Sequence, residues 1–137
     1  MNTKRFALIL GIIYLVVGVA GFFPALIQPP SASDPAMTVT ALQGNLFGLF
    51  PVNLLHTLVH LAVGAWGVVA TRSEGASLFY ARALAVIFGV LTIMGLVPGL
   101  NTGFGLIPLH SHDIWLHAAT AIVSGYFGFS SRAKAHI

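Results

Sequence analysis

Long apolar runs without charge alternate with short polar stretches along this chain. Residues 6–27 form the first run, 22 positions with no charged side chain. At about 1.5 Å per residue, a helix of that length crosses a hydrocarbon core of about 30 Å. A second run covers roughly residues 46–71, a third residues 83–100, and a fourth, the shortest, about residues 114–130. Residues 28–45 carry Pro29, Pro30, Ser31, Ser33, Asp34 and Pro35 and read as a polar loop with room for a short helix. Residues 72–82 and 101–112 read as the other two connections. The pattern predicts an all-α integral membrane protein, one domain over residues 1–137 with four transmembrane helices. A cleaved signal peptide has an apolar core of about 7–15 residues, so the first run is read as permanent structure.

The spans repeat. Gly21-Phe22-Phe23-Pro24-Ala25-Leu26 matches Gly95-Leu96-Val97-Pro98-Gly99-Leu100, and Gly48-Leu49-Phe50-Pro51-Val52-Asn53 matches Gly105-Leu106-Ile107-Pro108-Leu109-His110. Carried on without a gap, the second register sets His56 on Asp113 and His60 on His117. Two tandem helical hairpins follow, one over about residues 6–71 and one over about 83–130. They are parallel internal repeats about an axis along the membrane normal. Pro24 and Pro98 are expected to end the odd helices, and Pro51 and Pro108 to open the even ones. Each span also has a face of small residues, among them Gly11 and Gly18, Gly64 and Gly67, Gly89, Gly95 and Gly99. Such faces let helices approach closely in lipid. Leu15 and Val63 are expected to face lipid.

Composition agrees with the pattern. Hydrophobic residues are 57% and charged residues 7%, against about 25% charged in soluble domains, and mean hydropathy is +0.92. Three acids and six bases cannot cover a free soluble globule. The absence of cysteine excludes disulfides, thiolate metal sites and cysteine nucleophiles. A pI near 9.8 suggests nucleic acid for a soluble protein, but these bases flank apolar spans. Lys4 and Arg5, Arg72 and Arg82, and Arg132 and Lys134 all fall on one side of a four-span chain. By the positive-inside rule both termini are cytoplasmic. The loops at 28–45 and 101–112, with Asp34 and Asp113, then face outward. Tyr80 and Arg82 suit the inner interface and Trp115 the outer one, while Trp66 packs deeper.

The candidate chemistry lies in the histidines. His56 and His60 share one helix face, as do Asp113 and His117, and the repeat turns the two faces toward each other in the outer third of the membrane. Ionisable groups at that depth are rare and line interiors or cavities. Three uses fit. His56, His60, Asp113 and His117 can bind a divalent transition metal such as zinc, copper, iron or nickel. His60 and His117 can ligate a haem axially, one from each repeat. Or Asp113 pairs with a histidine and the group only fixes the bundle, which is the reading given first weight. Asn53 is expected to cap its helix, and His110 and His112 either extend a metal site or stay wet. His136 is assigned nothing. Thr57 stands where a zinc-protease helix needs glutamate, which excludes that motif. With no phosphate loop, catalytic triad or carboxylate dyad, the chain leans away from being an enzyme. A single acid within membrane reach makes a transporter the least favoured class.

The stretches Asn53–Gly64 and Pro108–His117 resemble a family of small bacterial and cyanobacterial four-span membrane proteins known only as a domain of unknown function. The resemblance implies a multi-pass protein of a bacterial inner or thylakoid membrane and brings no activity. The expectation is therefore a structural or accessory protein in the lipid bilayer, as a homo-oligomer or a subunit of a larger complex. The alternative is a metal- or haem-binding protein, redox-active or not.

Overall fold

The structure is a computed structural model, and it describes residues 1–130. Arg132, Lys134 and His136 lie outside the described residues. Four helices make up most of the fold: α1 (Thr3–Ala20), α2 (Leu54–Ala70), α3 (Glu74–Leu96) and α4 (Asp113–Phe129). α1 and α3 are long and apolar enough to cross a membrane. α2 and α4 have 17 residues each. α1 packs lengthwise on α2 and α3 on α4, and the two pairs meet mainly through α3 against α1 and α2.

Local signals set the helix ends. The Asn2 and Ser73 side chains accept from the amides of Arg5 and Ala76 at 2.9 and 3.0 Å, capping α1 and α3. Only Thr71, Arg72 and Ser73 separate α2 from α3. The long connection expected at 72–82 therefore shrinks, because α3 starts at its Ser73 cap and runs through Arg82. That guanidinium is satisfied inside the fold: its Nε donates to the Gly128 carbonyl at 2.7 Å.

The connection between the first two helices differs from expectation. α1 stops at Ala20, and a 3₁₀ turn at Pro24–Leu26 leads into a small antiparallel sheet. Its strands are β1 (Ile27–Gln28), β2 (Gly44–Leu46) and β3 (Phe50–Val52), in the order β1-β2-β3. Pro51 thus lies in a strand rather than in the first turn of α2, and Pro108 in the loop before α4. Among the described residues, the loop at 28–45 forms no helix. Gly48, with φ of +73°, makes the β2–β3 turn and breaks what reads in sequence as one apolar run.

Apolar side chains form two layers with polar ones between. The larger layer gathers Phe6, Tyr14, Val63, Tyr80, Leu84, Phe88 and Phe127, with the Phe6 and Phe127 rings stacked at 4.7 Å. The smaller holds Ala20, Leu46 and Val52 beneath the sheet. Two placements are corrected here. Val63 is core rather than lipid-facing. Tyr80 is fully buried rather than interfacial, because its hydroxyl donates to the Val63 carbonyl at 3.1 Å. Trp66 packs edge-on against it.

The seam between α1 and α2 is made of glycine. A β-carbon on Gly64 would lie 2.6 Å from the Leu15 amide nitrogen and 2.8 Å from the Gly11 carbonyl oxygen. Gly89, expected on a packed face, has open space around it, as has Gly99. Gly64→Leu should therefore destabilise the protein in detergent by about 1–3 kcal/mol through overpacking. Gly89→Leu should leave thermal unfolding unchanged. Equal losses in the two variants would show that the seam is wrongly located.

Candidate functional site

The site begins with Asn53. Its extended backbone starts α2, and its Oδ1 accepts from the His56 amide at 2.9 Å. Its Nδ2 donates to the carbonyls of Leu106 at 2.7 Å and Val39 at 3.2 Å. An asparagine amide has two N–H donors, so one buried side chain caps α2 and ties the loops at 28–45 and 101–112 to it. The loops are also joined directly, since the amides of Thr38 and Val39 donate to the Gly105 carbonyl. Gly105 has φ of +82° and passes so close to Thr38 that a side chain would not fit.

With both helix starts fixed, steps of four residues bring four side chains together. His56 Nε2 lies 3.3 Å from Asp113 Oδ2, and His117 Nε2 lies 3.6 Å from the same oxygen. The His60 ring is 4.3 Å from that of His56, and His56 is 5.9 Å from His117. Donor atoms of the three histidines all lie within 4.8 Å of one another. All four residues are at most 2% exposed. The backbones of α2 and α4 barely approach each other, so these side chains fill the space between them.

Hydrogen bonding within the protein leaves this group largely unsatisfied. Both nitrogens of His60, Nδ1 of His56 and His117, and both oxygens of Asp113 have no hydrogen-bond partner. Each unpaired buried polar atom costs about 1–3 kcal/mol. The surroundings supply shape instead. The Tyr14 ring meets His60 at 5.4 Å and the Phe88 ring meets His117 edge-on at 5.1 Å. The Thr120 hydroxyl donates to the Leu116 carbonyl, so the Tyr14 hydroxyl donates to Thr120 Oγ1, at 2.8 Å.

The family described as a domain of unknown function (DUF4383) matches residues 4–130. The chain belongs to that family. No curated protein and no solved structure matches the chain.

The remaining candidates stand apart from the four. His112 is exposed at the start of α4 and accepts from the Trp115 indole at 3.0 Å. His110 is buried in the loop before α4, with its Nδ1 3.0 Å from Ser111 Oγ. Burial pushes its imidazole below the ordinary value, against the opposing pull of Asp34. Burial also nudges the Asp34 carboxyl up, but bonds from the Ser31 amide and the Asn45 side chain outweigh it and hold it below the usual range. Sequence reasoning gave Tyr14, Phe88 and Thr120 no role beside the histidines. The available signal was spacing: Tyr14 lies at helical steps between Gly11 and Gly18, and Thr120 three residues after His117.

Asn53→Ala should cost about 0.5–2 kcal/mol for the lost cap, and more for the two carbonyls left without a donor. Asn53→Ser keeps an uncharged cap acceptor and is too short to reach the two carbonyls, so it should fall between Ala and the parent in thermal unfolding. A Ser variant as unstable as the Ala variant would mean that the cap contributes nothing.

Proposed function

We propose that this chain is a four-span membrane protein that holds one divalent transition metal ion between its helix pairs. The ligands are the imidazoles of His56, His60 and His117 and the carboxylate of Asp113. Donor spacing carries the reading. A tetrahedral ion with bonds of about 2.0–2.1 Å has ligand atoms about 3.4 Å apart. The two contacts of Asp113 Oδ2, at 3.3 and 3.6 Å, bracket that separation. They are longer than the 2.7–3.2 Å typical of N–H···O hydrogen bonds. Imidazole suits zinc, copper, iron and nickel; the three histidines form the compact donor set, and Asp113 Oδ2, beside His56 and His117, supplies a fourth ligand of the kind zinc takes. Haem has less support, because the His56 ring and the Asp113 carboxylate crowd the space between His60 and His117.

The membrane part of the reading is supported by α1 and α3 and by what the helices turn outward. Ile12, Val16, Val90, Ile93 and Ile122 are largely exposed, a surface suited to lipid rather than water. The pairing of α1 with α2 and α3 with α4 agrees with two tandem hairpins in parallel repeat. The bases Lys4, Arg5, Arg72 and Arg82 then line the cytoplasmic side with both termini. Cysteines introduced at Ser33 and Thr102 should be labelled by an impermeant thiol reagent added to intact cells, and one at Ser73 should not. The reverse pattern would invert the topology.

Protein purified in detergent should carry one zinc, or another divalent transition metal, per chain by elemental analysis. Chelation should lower its melting temperature. His60→Ala and His117→Ala should abolish both the metal and the chelator effect, whereas His112→Ala should not. The metal-dependent part of stability should be lost in acid, because protonated imidazoles cannot ligate. Absence of stoichiometric metal together with chelator-insensitive melting would return the four residues to a packing role.

A further inference from the structure

We propose that the cleft between α1 and α4 binds one phospholipid with an anionic headgroup, its acyl chain in the cleft and its phosphate at Arg5. This rests on the membrane part of the reading above and not on the metal. α1 and α4 hardly meet, because each packs on its own hairpin partner. Between them lies a cavity of about 300 Å³, lined on one side by Phe6, Ile9, Ile13 and Tyr14 and on the other by Ala119 and Thr120. Phe6, Tyr14 and Thr120 are buried and form its floor. Ile9, Ile13 and Ala119 are exposed and form its rim. The cleft therefore opens sideways, onto the face that the helices turn to lipid. Its volume stands at the lower end of the roughly 300–1,000 Å³ of small-ligand sites. A helix, about 10–12 Å across with its side chains, is too wide for it.

The chemistry of the lining selects the occupant. Its polar side chains are Tyr14 and Thr120. Their hydroxyls are bonded to each other at 2.8 Å, and that of Thr120 donates to the Leu116 carbonyl at 2.9 Å. The wall thus has no free donor for a polar ligand, and a polar group buried there would go without a partner. A peptide backbone is excluded on that ground, whereas a hydrocarbon chain needs no bonds. The headgroup follows from charge. The cavity extends to Met1, at the start of α1. Arg5 stands between Met1 and Ile9, four residues from each, and shares a side of the helix with Ile9. It is exposed, and among the described residues it has no acidic partner. Helical side chains slant toward the N-terminus, here toward Met1. The bases place this end of α1 on the proposed cytoplasmic side, where the leaflet carries anionic lipids and basic pockets between helices take their headgroups. A guanidinium also pairs with phosphate through two parallel bonds. Tyr14 meets His60 at 5.4 Å, so the bound chain packs against a side chain that supports the histidine group.

The test titrates full-length protein, delipidated in detergent, with dioleoyl phosphatidylglycerol and separately with dioleoyl phosphatidylcholine, and counts bound lipid by native mass spectrometry. The parent should hold one phosphatidylglycerol per chain. It should bind phosphatidylcholine about fivefold more weakly, the equivalent of the roughly 1 kcal/mol that one basic residue contributes near an anionic surface. Ala119→Phe fills the cleft from its exposed rim and should abolish binding of both lipids, with the lipid-free melting temperature unchanged. Val123→Phe, on the same wall, should do the same. Arg5→Gln keeps the cleft and should bring the two lipids to equal affinity. Val90→Phe, exposed on α3 outside the cleft, should bind as the parent does. Parental binding by both cleft-filling variants would overturn the proposal, as would a headgroup preference that survives Arg5→Gln. A parent dimer that Ala119→Phe separates would give the cleft to a second copy and overturn it too. Failure of the membrane reading looks different: the protein then stays dispersed in buffer without detergent, and the proposal falls with it.

Discussion

The Asn53 carboxamide fixes more of this structure than any other side chain. Its oxygen starts α2 at a defined residue, and its nitrogen holds a carbonyl from each of the two long loops. Were α2 to start one residue later, His56 and His60 would turn by about 100° about the helix axis, since a turn takes about 3.6 residues. His56 would then leave Asp113. The bond to Leu106 matters for the same reason from the other side, because that loop leads directly into α4. The cap therefore does more than end a helix. It sets the rotation of two helices that hardly touch through their backbones.

That near-absence of contact explains why a polar layer can exist here. α1 and α2 close on each other through Gly11, Gly64 and Gly67, where β-carbons would collide. α3 and α4 close likewise where Gly128 meets the Arg82 backbone, and Gly95 lies against the Leu109 carbonyl in the loop before α4. With each pair held tight, α2 and α4 are left apart, and long polar side chains span the gap. Gly67 does a second job. A β-carbon there would lie 2.7 Å from the Tyr80 hydroxyl, so its absence lets a buried tyrosine reach the Val63 carbonyl. The apolar layer below and the small lid above then seal the polar residues from both ends.

Much of this was legible in the chain because it depends on period and register. His56 and His60 on α2 and Asp113 and His117 on α4 share faces by their four-residue steps, and the structure brings those faces together. Asn53 stands where a cap belongs. What escaped depends on tertiary context. Residues 46–52 are nearly all apolar, and a short run of that kind does not distinguish helix from strand by period. Gly48 and Pro51 turned it into β2 and β3. Tyr80 follows the interfacial preference of tyrosine, yet Gly67 gives it a buried partner that composition alone does not reveal. Arg82 reads as a boundary, but the open carbonyl at the end of α4 lets a charged residue sit within α3. Gly89 has the right spacing for a seam and no neighbour to meet.

The two functional expectations raised by the sequence, a structural role and a metal site, need not compete. Catalytic zinc keeps a coordination position open, whereas structural zinc is closed by four protein ligands. Three imidazoles and a carboxylate are already four, and the group is at most 2% exposed. An ion held there would bridge α2 of one hairpin to α4 of the other, where helix packing supplies little. Its binding free energy would then be folding free energy, spent on the one joint that the glycine seams leave open. The same ion would also give partners to His60 and to the Asp113 carboxylate, which otherwise have none inside the protein. On this argument the metal reading does not call for a substrate path or an enzymatic cavity. It makes the buried histidines the fastener of a bundle whose two halves are each closed by their own small residues.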